Sequence, residues 1–207
     1  MIDRRTLLLG SGLALAGCGS SGDDRAAAAR PLPATPRAAR LVAAARAQVG
    51  VTVHYDAAYS RISFPRGDVP RDRGACTDVV IRAYRDALGL DLQALVNGDM
   101  RAAFAAYPKR WGLSAPDPNI DHRRVPNLAA FLNRRHTALP VPSEASAWQP
   151  GDIFTSLVGG TGTHIGLVSD RAGRRGPFII HNIGAGSREE DALLDWPITG
   201  RFRWSLD

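Results

Sequence analysis

Cysteine and lysine are nearly absent from this chain, and the two shortages exclude different classes of protein. Among 207 residues there are two cysteines, Cys18 and Cys76, and Lys109 is the single lysine. A disulfide-stapled fold and a zinc site built from cysteines both need more thiols than this. The formal net charge of +6 comes mainly from arginines scattered along the chain. Because no basic tract with interleaved aromatics occurs, nucleic acid is not an expected partner.

The N-terminal apolar run, residues 7–16, is shorter than the roughly 20 residues that a membrane-spanning helix needs. It follows Arg4 and Arg5 and precedes Leu-Ala-Gly-Cys18, which is the arrangement of an export signal. The tetrapeptide resembles a bacterial lipobox, and this implies that residues 1–17 are removed and that Cys18 becomes the lipid-modified first residue. The arginine pair also resembles a loose twin-arginine signal. An ordinary secretory signal with an incidental Cys18 is the alternative.

Residues 18–37 are rich in Gly, Ser, Ala, Arg and Pro and have no periodic apolar pattern, so we expect a flexible tether. Residues 38–207 are long enough for one domain with a single core. Lipidation of Cys18 would place this domain at the periplasmic face of a membrane, and Gly19 favours the outer membrane. We expect a monomer.

Two periodicities divide the domain. Apolar residues at spacings of three and four in the first half predict helices, and short runs rich in β-branched residues in the second half predict antiparallel strands. Helices followed by consecutive strands indicate an α+β fold, with helices packed on one face of a small sheet. The predicted helices cover residues 38–49, a stretch from 76 to the glycine at 89, residues near 100–106 and residues near 127–135, and the predicted strands cover residues 152–157, 163–170, 177–184 and 198–204.

Cys76 opens the second predicted helix. The backbone N–H groups and the dipole at a helix start stabilise a thiolate, so we expect an acidic, nucleophilic thiol. His164 and His181 lie on successive predicted strands and share a face, and a turn centred between residues 172 and 173 would place them directly opposite each other. One imidazole could then take the thiol proton while the other orients it. A buried structural thiol and satisfied strand histidines are the alternative.

Segments around these three residues resemble the NlpC-type papain-like cysteine peptidases. The similar segments are residues 74–84, 148–153, 164–168 and 180–182, in that order. The resemblance implies a papain-like fold in which Cys76 is the nucleophile, His164 the base and His181 the orienting residue. It also implies that Tyr55 lines the oxyanion site, although Tyr59 could serve instead.

A longer resemblance, from about residue 51 to residue 204, is to the family named domain of unknown function 1287 (DUF1287). It is carried by residues 99–100, 111–113, 116–128 and 181–184. The long insert between Cys76 and the predicted sheet departs from typical NlpC-type enzymes. The substrate preference of those enzymes therefore does not transfer to this chain.

The insert supplies further candidate site residues. Asp121, His122 and Arg123 could bind a carboxylate of a substrate, because arginine pairs with carboxylates bidentately. A solvated, turn-rich loop is the alternative. Asp78 and Asn182 complete the candidates for oxyanion or substrate binding. The remaining histidines have no paired ligand spacing, so we expect neither a metal nor a cofactor.

These observations predict an exported, lipid-anchored cysteine hydrolase that cleaves an amide bond in cell-wall (peptidoglycan) peptides through an acyl-enzyme. Its partners would be the wall peptide substrate and the membrane that holds the lipidated N-terminus. Two alternatives stay open. One is an acyltransferase or lipid amidase of the same fold, and the other is a non-catalytic lipoprotein that binds the wall.

Overall fold

The structure, a computed structural model, describes residues 30–204. The predicted export signal and the predicted lipidation site, Cys18, lie outside the described residues. Strand β1, Arg30–Pro31, and helix α1, Pro36–Arg46, begin within the predicted tether. The folded part therefore extends further towards the N-terminus than the predicted boundary.

Two local signals explain why α1 begins before residue 38. The hydroxyl of Thr35 accepts a hydrogen bond from the backbone N–H of Ala38, which caps the helix. Pro36 occupies the first turn, where a missing N–H costs nothing. The composition of this stretch resembles a linker, but its capping chemistry starts a helix.

Three further helices among the described residues fill the first half of the domain, as predicted. They are α2, Cys76–Leu88; α3, Leu92–Ala103; and α4, Val125–Arg134. Helix α2 ends before Gly89, whose φ of 70° suits the left-handed position that follows a helix. Helix α3 starts earlier than the predicted residue 100, because the carboxylate of Asp91 caps it at the N–H of Gln93. Gly98 weakens the helical signal inside α3.

The second half of the domain forms an antiparallel sheet, which confirms the α+β class. Its strands are β4, Ala138–Leu139; β5, Ile153–Val158; β6, Gly162–Ala172; β7, Pro177–Asn182; β8, Ser187–Glu190; and β9, Ile198–Phe202. The spatial order is β4-β9-β5-β6-β7-β8, and β1 adds to β6. Strands β2, His54–Tyr55, and β3, Arg73–Gly74, form a separate parallel pair.

Different groups of residues pack against the two faces of the sheet. Ile165 and Leu167 of β6 point into a core shared with the helices, where Tyr84 of α2 is fully buried. Phe154 and Val168 point to the other face, where they pack in a smaller cluster with tryptophan and leucine side chains from loops. No helix within residues 30–204 is long and apolar enough to cross a membrane.

Candidate active site

The thiol of Cys76 lies at the first position of α2, and this residue is 4% exposed. The backbone groups of Ile165 and Thr77 and the hydroxyl of Tyr55 lie close enough to the sulfur to act on its pKa. Ile165 directly follows His164 in β6. Ile165 points to the face covered by the helices, whereas His164 points to the other face of β6, against Phe154. The thiol therefore lies near the backbone beside this imidazole, and the resting structure does not bring the imidazole itself to the sulfur.

Burial raises the pKa of the Cys76 thiol from its ordinary value of 9.0 to about 11. The backbone groups of Ile165 and Thr77 lower that pKa, but the nearby carboxylate of Asp78 raises it further. The expectation of an acidic thiol at the helix start is therefore wrong for this resting structure. Loss of hydration outweighs the helix-start amides, and the thiol is neutral at pH 7.

His164 and His181 form a hydrogen-bonded pair, with Nε2 of His164 2.8 Å from Nδ1 of His181. The register differs from the predicted one, because β6 pairs with β7 at Leu167 and Ile180. That register places Gly166 opposite His181, two residues from the predicted partner. A shift of two residues keeps both imidazoles on one face of the sheet, so they meet diagonally. The turn is centred between residues 174 and 175, later than predicted, and a register irregularity between Val168 and Ala172 offsets part of this difference.

Gly166 leaves room for the diagonal contact. A Cβ atom at this position would lie 2.9 Å from Cβ of His181 and 2.7 Å from the ring of Phe154. Real Cβ atoms essentially never make contacts this short. A side chain at Gly166 would therefore displace His181 from its place beside His164.

A carboxylate that the sequence analysis missed extends the pair. Nε2 of His181 lies 2.8 Å from Oε1 of Glu190 on β8. The register pairs His181 with Arg188, so Glu190 lies two residues further along β8 and on the same face. Strand β8 reads Ser-Arg-Glu-Glu and has no apolar alternation, which is the signal by which a strand is recognised in a sequence.

Aromatic side chains cover the imidazole pair. The ring of Trp196 lies 6.0 Å from that of His164 and 6.1 Å from that of His181, measured between centroids. Burial, reinforced by His181, lowers the pKa of His164 from 6.5 to about 3. Burial also lowers the pKa of His181, although its bond to Glu190 acts in the opposite direction. Both imidazoles are therefore neutral near pH 7.

The two tyrosines considered for the oxyanion site have different partners. The hydroxyl of Tyr55 lies near enough to Cys76 for each to act on the pKa of the other, whereas that of Tyr59 accepts a hydrogen bond from the amide of Asn119. Burial, followed by the proximity of Cys76, raises the pKa of Tyr55 to about 12, so its hydroxyl stays protonated. Tyr55 is 43% exposed and stands at the solvent rim of the site.

Asp78 and Arg123 form a buried ion pair behind the thiol. Nη2 of Arg123 lies 2.9 Å from Oδ2 of Asp78, and the two side chains are 2% and 4% exposed. The same carboxylate oxygen accepts the backbone N–H of Ala75 at 2.6 Å. The guanidinium also donates to the carbonyls of Asp56 and Ala58. The pair therefore ties the start of α2 to the loop that follows β2.

The other charged candidates of the insert are also turned inward. Asp121 is buried, and its carboxylate accepts the backbone N–H of Asp117 and bonds to Arg124. His122 is 2% exposed, and burial lowers its pKa to about 4. With Arg123 held by a carboxylate, these residues present no free charge for a substrate. Asp121, His122 and Arg123 therefore lie inside the domain, where they support the fold.

Asn182 lies at the end of β7, close to the segment that leads into α2. Its side-chain amide donates to the carbonyl of Gly74 at 2.8 Å. It therefore holds β7 against the chain two residues before Cys76. Among residues 30–204, no group of three or more His, Cys, Asp or Glu side chains comes together as metal ligands would.

Residues 42–204, which contain all of this site, match the family described as "Domain of unknown function (DUF1287)". The chain belongs to the DUF1287 family. It is 49% identical over 161 residues to the "Uncharacterized protein YijF" of Escherichia coli (strain K12), an alignment that covers 77% of this chain and 78% of that protein. No solved structure matches the chain significantly. The DUF1287 resemblance seen in the sequence is thus confirmed.

Proposed function

We propose that this DUF1287 protein is an exported, lipid-anchored cysteine hydrolase with a papain-like fold, which cleaves an amide bond in cell-wall peptides. One observation carries the proposal: the Cys76 thiol opens α2 and lies near the Tyr55 hydroxyl and the backbone of Ile165, the residue that follows His164 in β6. A nucleophile, a base and a group that orients the base are the parts that acyl transfer requires.

The proposed reaction requires Nδ1 of His164 to come within hydrogen-bond reach of the sulfur when substrate binds, because the resting imidazole lies against Phe154 and the thiol lies on the helix-covered face of the sheet. The S–H bond of Cys76 then breaks as the sulfur attacks the amide carbonyl, and the proton moves to that nitrogen. This nitrogen is the one available, because Nε2 is bonded to His181. His164 then gives the proton to the leaving amine as the C–N bond breaks, and a thioester remains. Water, deprotonated by the same nitrogen, attacks the thioester and restores the thiol.

Tyr55 supplies a donor for the oxygen that becomes negative during the attack. Its hydroxyl lies near the sulfur and stays protonated, since its pKa is raised to about 12. Donors fixed in advance around such an oxygen stabilise the transition state without having to reorganise. The Asp78 and Arg123 pair keeps the loop beyond β2 in place and so supports this donor.

The cell-wall substrate is supported by the sequence: the predicted export signal and lipobox would put the domain where wall peptides are, and the motif order resembles NlpC-type peptidases. An enzyme acting on a lipid acyl chain would need the same thiol and base. The two substrates differ in their products, since a wall peptidase creates a new amine on a wall fragment and a lipid amidase releases a fatty acid.

A non-catalytic, wall-binding lipoprotein is favoured by one observation, the neutral resting state of the site. Burial raises the pKa of Cys76 to about 11 and lowers that of His164 to about 3. The hydrolase is preferred because a neutral nucleophile can be activated during attack by a positioned base. Serine hydrolases work this way with a hydroxyl that is far less acidic than any thiol.

The test is digestion of purified wall fragments by the full chain, with products identified by mass spectrometry. The parent is compared with Cys76→Ala, with His164→Ala and with His136→Ala, in which an exposed histidine is removed as a matched control. We expect new amines from the parent and from the control, and a loss of about a thousandfold or more in the other two. Equal product from all four would refute the proposal. Fatty acid released from lipid vesicles, without new wall amines, would assign the lipid substrate instead.

A further inference from the structure

The resting protons of the two histidines have two possible arrangements, and they differ in what His164 can do. A neutral imidazole carries one N–H, so the bond between Nε2 of His164 and Nδ1 of His181 can run in either direction. If His164 donates, its Nδ1 has a lone pair and can take a proton. If His181 donates, Nδ1 of His164 already holds the hydrogen and cannot act as a base.

Glu190 removes this ambiguity. An ionised carboxylate only accepts hydrogen bonds, so the contact of 2.8 Å between Oε1 of Glu190 and Nε2 of His181 requires the hydrogen to be on that nitrogen. Nδ1 of a neutral His181 is then an acceptor, and Nε2 of His164 must donate to it. The lone pair of His164 is left on Nδ1.

We propose that Glu190 is a positioning residue, which sets the tautomers of both histidines and thereby makes Nδ1 of His164 a base. The inference rests on the proposed function for its catalytic consequence, but the tautomers themselves are a property of the resting protein. Glu190 acts through His181, to which its carboxylate is hydrogen-bonded. Its side chain is 39% exposed, so it links a fully buried imidazole to the solvent edge of β8.

The other charged groups near His181 do not replace this carboxylate. Asp195 and Arg188 act on its pKa through space and in opposite directions, and only Glu190 also hydrogen-bonds to it. The adjacent Glu189 lies on the opposite face of β8, where it pairs with Arg46 of α1. The chain thus offers a matched control, a carboxylate one residue away that faces the helices.

The experiment reads the protons directly. Long-range proton–nitrogen NMR correlations of the nitrogen-15-labelled full chain at pH 7 show which nitrogen of each imidazole carries the hydrogen. His164→Gln and His181→Gln assign the signals. The spectra are compared for the parent, Glu190→Leu, Glu190→Gln and Glu189→Gln, and each chain is also assayed for kcat and KM on wall fragments.

In the parent, both imidazoles should carry the hydrogen on Nε2, and a signal from an Nδ1–H on either would overturn the proposal. Glu190→Leu should show mixed tautomers and a fall in kcat of about tenfold or more, with little change in KM. Glu190→Gln should restore the parent pattern, because the amide oxygen still accepts from His181. Glu189→Gln should leave the tautomers unchanged.

A folded Glu190→Leu chain with parent tautomers would refute the role of the carboxylate. If that variant does not fold, Glu190→Asp, whose carboxylate is one methylene shorter, is expected to give the same mixed pattern, and the parent pattern there would refute the inference. If the parent has the expected tautomers but releases no amine from wall fragments, the proposed function fails while the proton arrangement stands.

Discussion

Mild acid should destabilise this fold, because the folded chain buries several histidines in their neutral form. His122 is 2% exposed, and burial, reinforced by Arg123 and Arg85, lowers its pKa from 6.5 to about 4. Between these two pKa values the unfolded chain binds a proton that the folded chain does not. The free energy of unfolding must therefore fall as the pH drops through this window.

The magnitude follows from the two pKa values. One proton of difference changes the free energy of unfolding by about 1.4 kcal/mol for each pH unit. Because the unfolded imidazole is only partly protonated near its own pKa, the loss attributable to His122 between pH 7 and pH 5 is about 2 kcal/mol. His164, with a pKa lowered to about 3, adds a loss of similar size over the same range.

Carboxylates change the free energy of unfolding little between pH 7 and pH 5. The pKa of Asp86, of Asp99 and of Glu189 is lowered by arginine partners, and the stability these groups provide is lost only below about pH 4 to 5. Asp121 has a raised pKa, chiefly through burial, and it acts in the opposite direction. Its effect is common to parent and variant, so it cancels in their difference.

Urea unfolding of the parent and of His122→Leu at pH 7 and pH 5 measures the effect. Leucine cannot be protonated, so the variant should lose about 2 kcal/mol less than the parent over this range. At pH 7 the variant should unfold at a similar urea concentration, because Nδ1 of His122 has no hydrogen-bond partner to lose. An identical pH dependence in both chains would refute the buried, neutral state of His122.

Three further substitutions probe the site. Gly166→Ala should lower the free energy of unfolding by about 1–3 kcal/mol and abolish amine release, since the new methyl group collides with the ring and the strand beside it; an unchanged melting temperature would contradict this. Asp78→Asn should cost about 3–5 kcal/mol in urea unfolding, because it leaves the buried charge of Arg123 without its partner; a loss below about 1 kcal/mol would show that water reaches the pair. Tyr55→Phe should slow amine release by about a hundredfold with little change in stability, whereas Tyr59→Phe should not slow it.

The sequence predicts well what depends on neighbouring residues along the chain. The start of α2 at Cys76, its end at Gly89 and the three long central strands follow from apolar spacing and from a glycine suited to a helix end. The face of the sheet on which a strand residue lies can also be predicted correctly when the pairing register is wrong by two residues. His164 and His181 share a face because a slip of two residues, unlike a slip of one, leaves every side chain on its own side.

Contacts between residues that are far apart in the chain could not be predicted from the sequence. Glu190 reaches His181 only because β8, a polar strand without alternation, adds to the edge of the sheet. Arg123 looked like a substrate-binding residue because a sequence does not show which carboxylate will neutralise it. Its partner, Asp78, lies 45 residues away and is equally buried.

The same limit explains the error about the thiol, and it bears on mechanism. Helix position is local and favours a thiolate, whereas burial under β6 is a tertiary property that favours the neutral thiol, and here burial dominates. A site whose sulfur and imidazole both rest uncharged cannot hold a standing ion pair. In the proposed reaction, proton transfer must then accompany attack on the carbonyl, so the direction of the hydrogen bond between His164 and His181 would be decisive. A carboxylate that fixes this direction would therefore matter more here than in an enzyme whose thiolate is already formed.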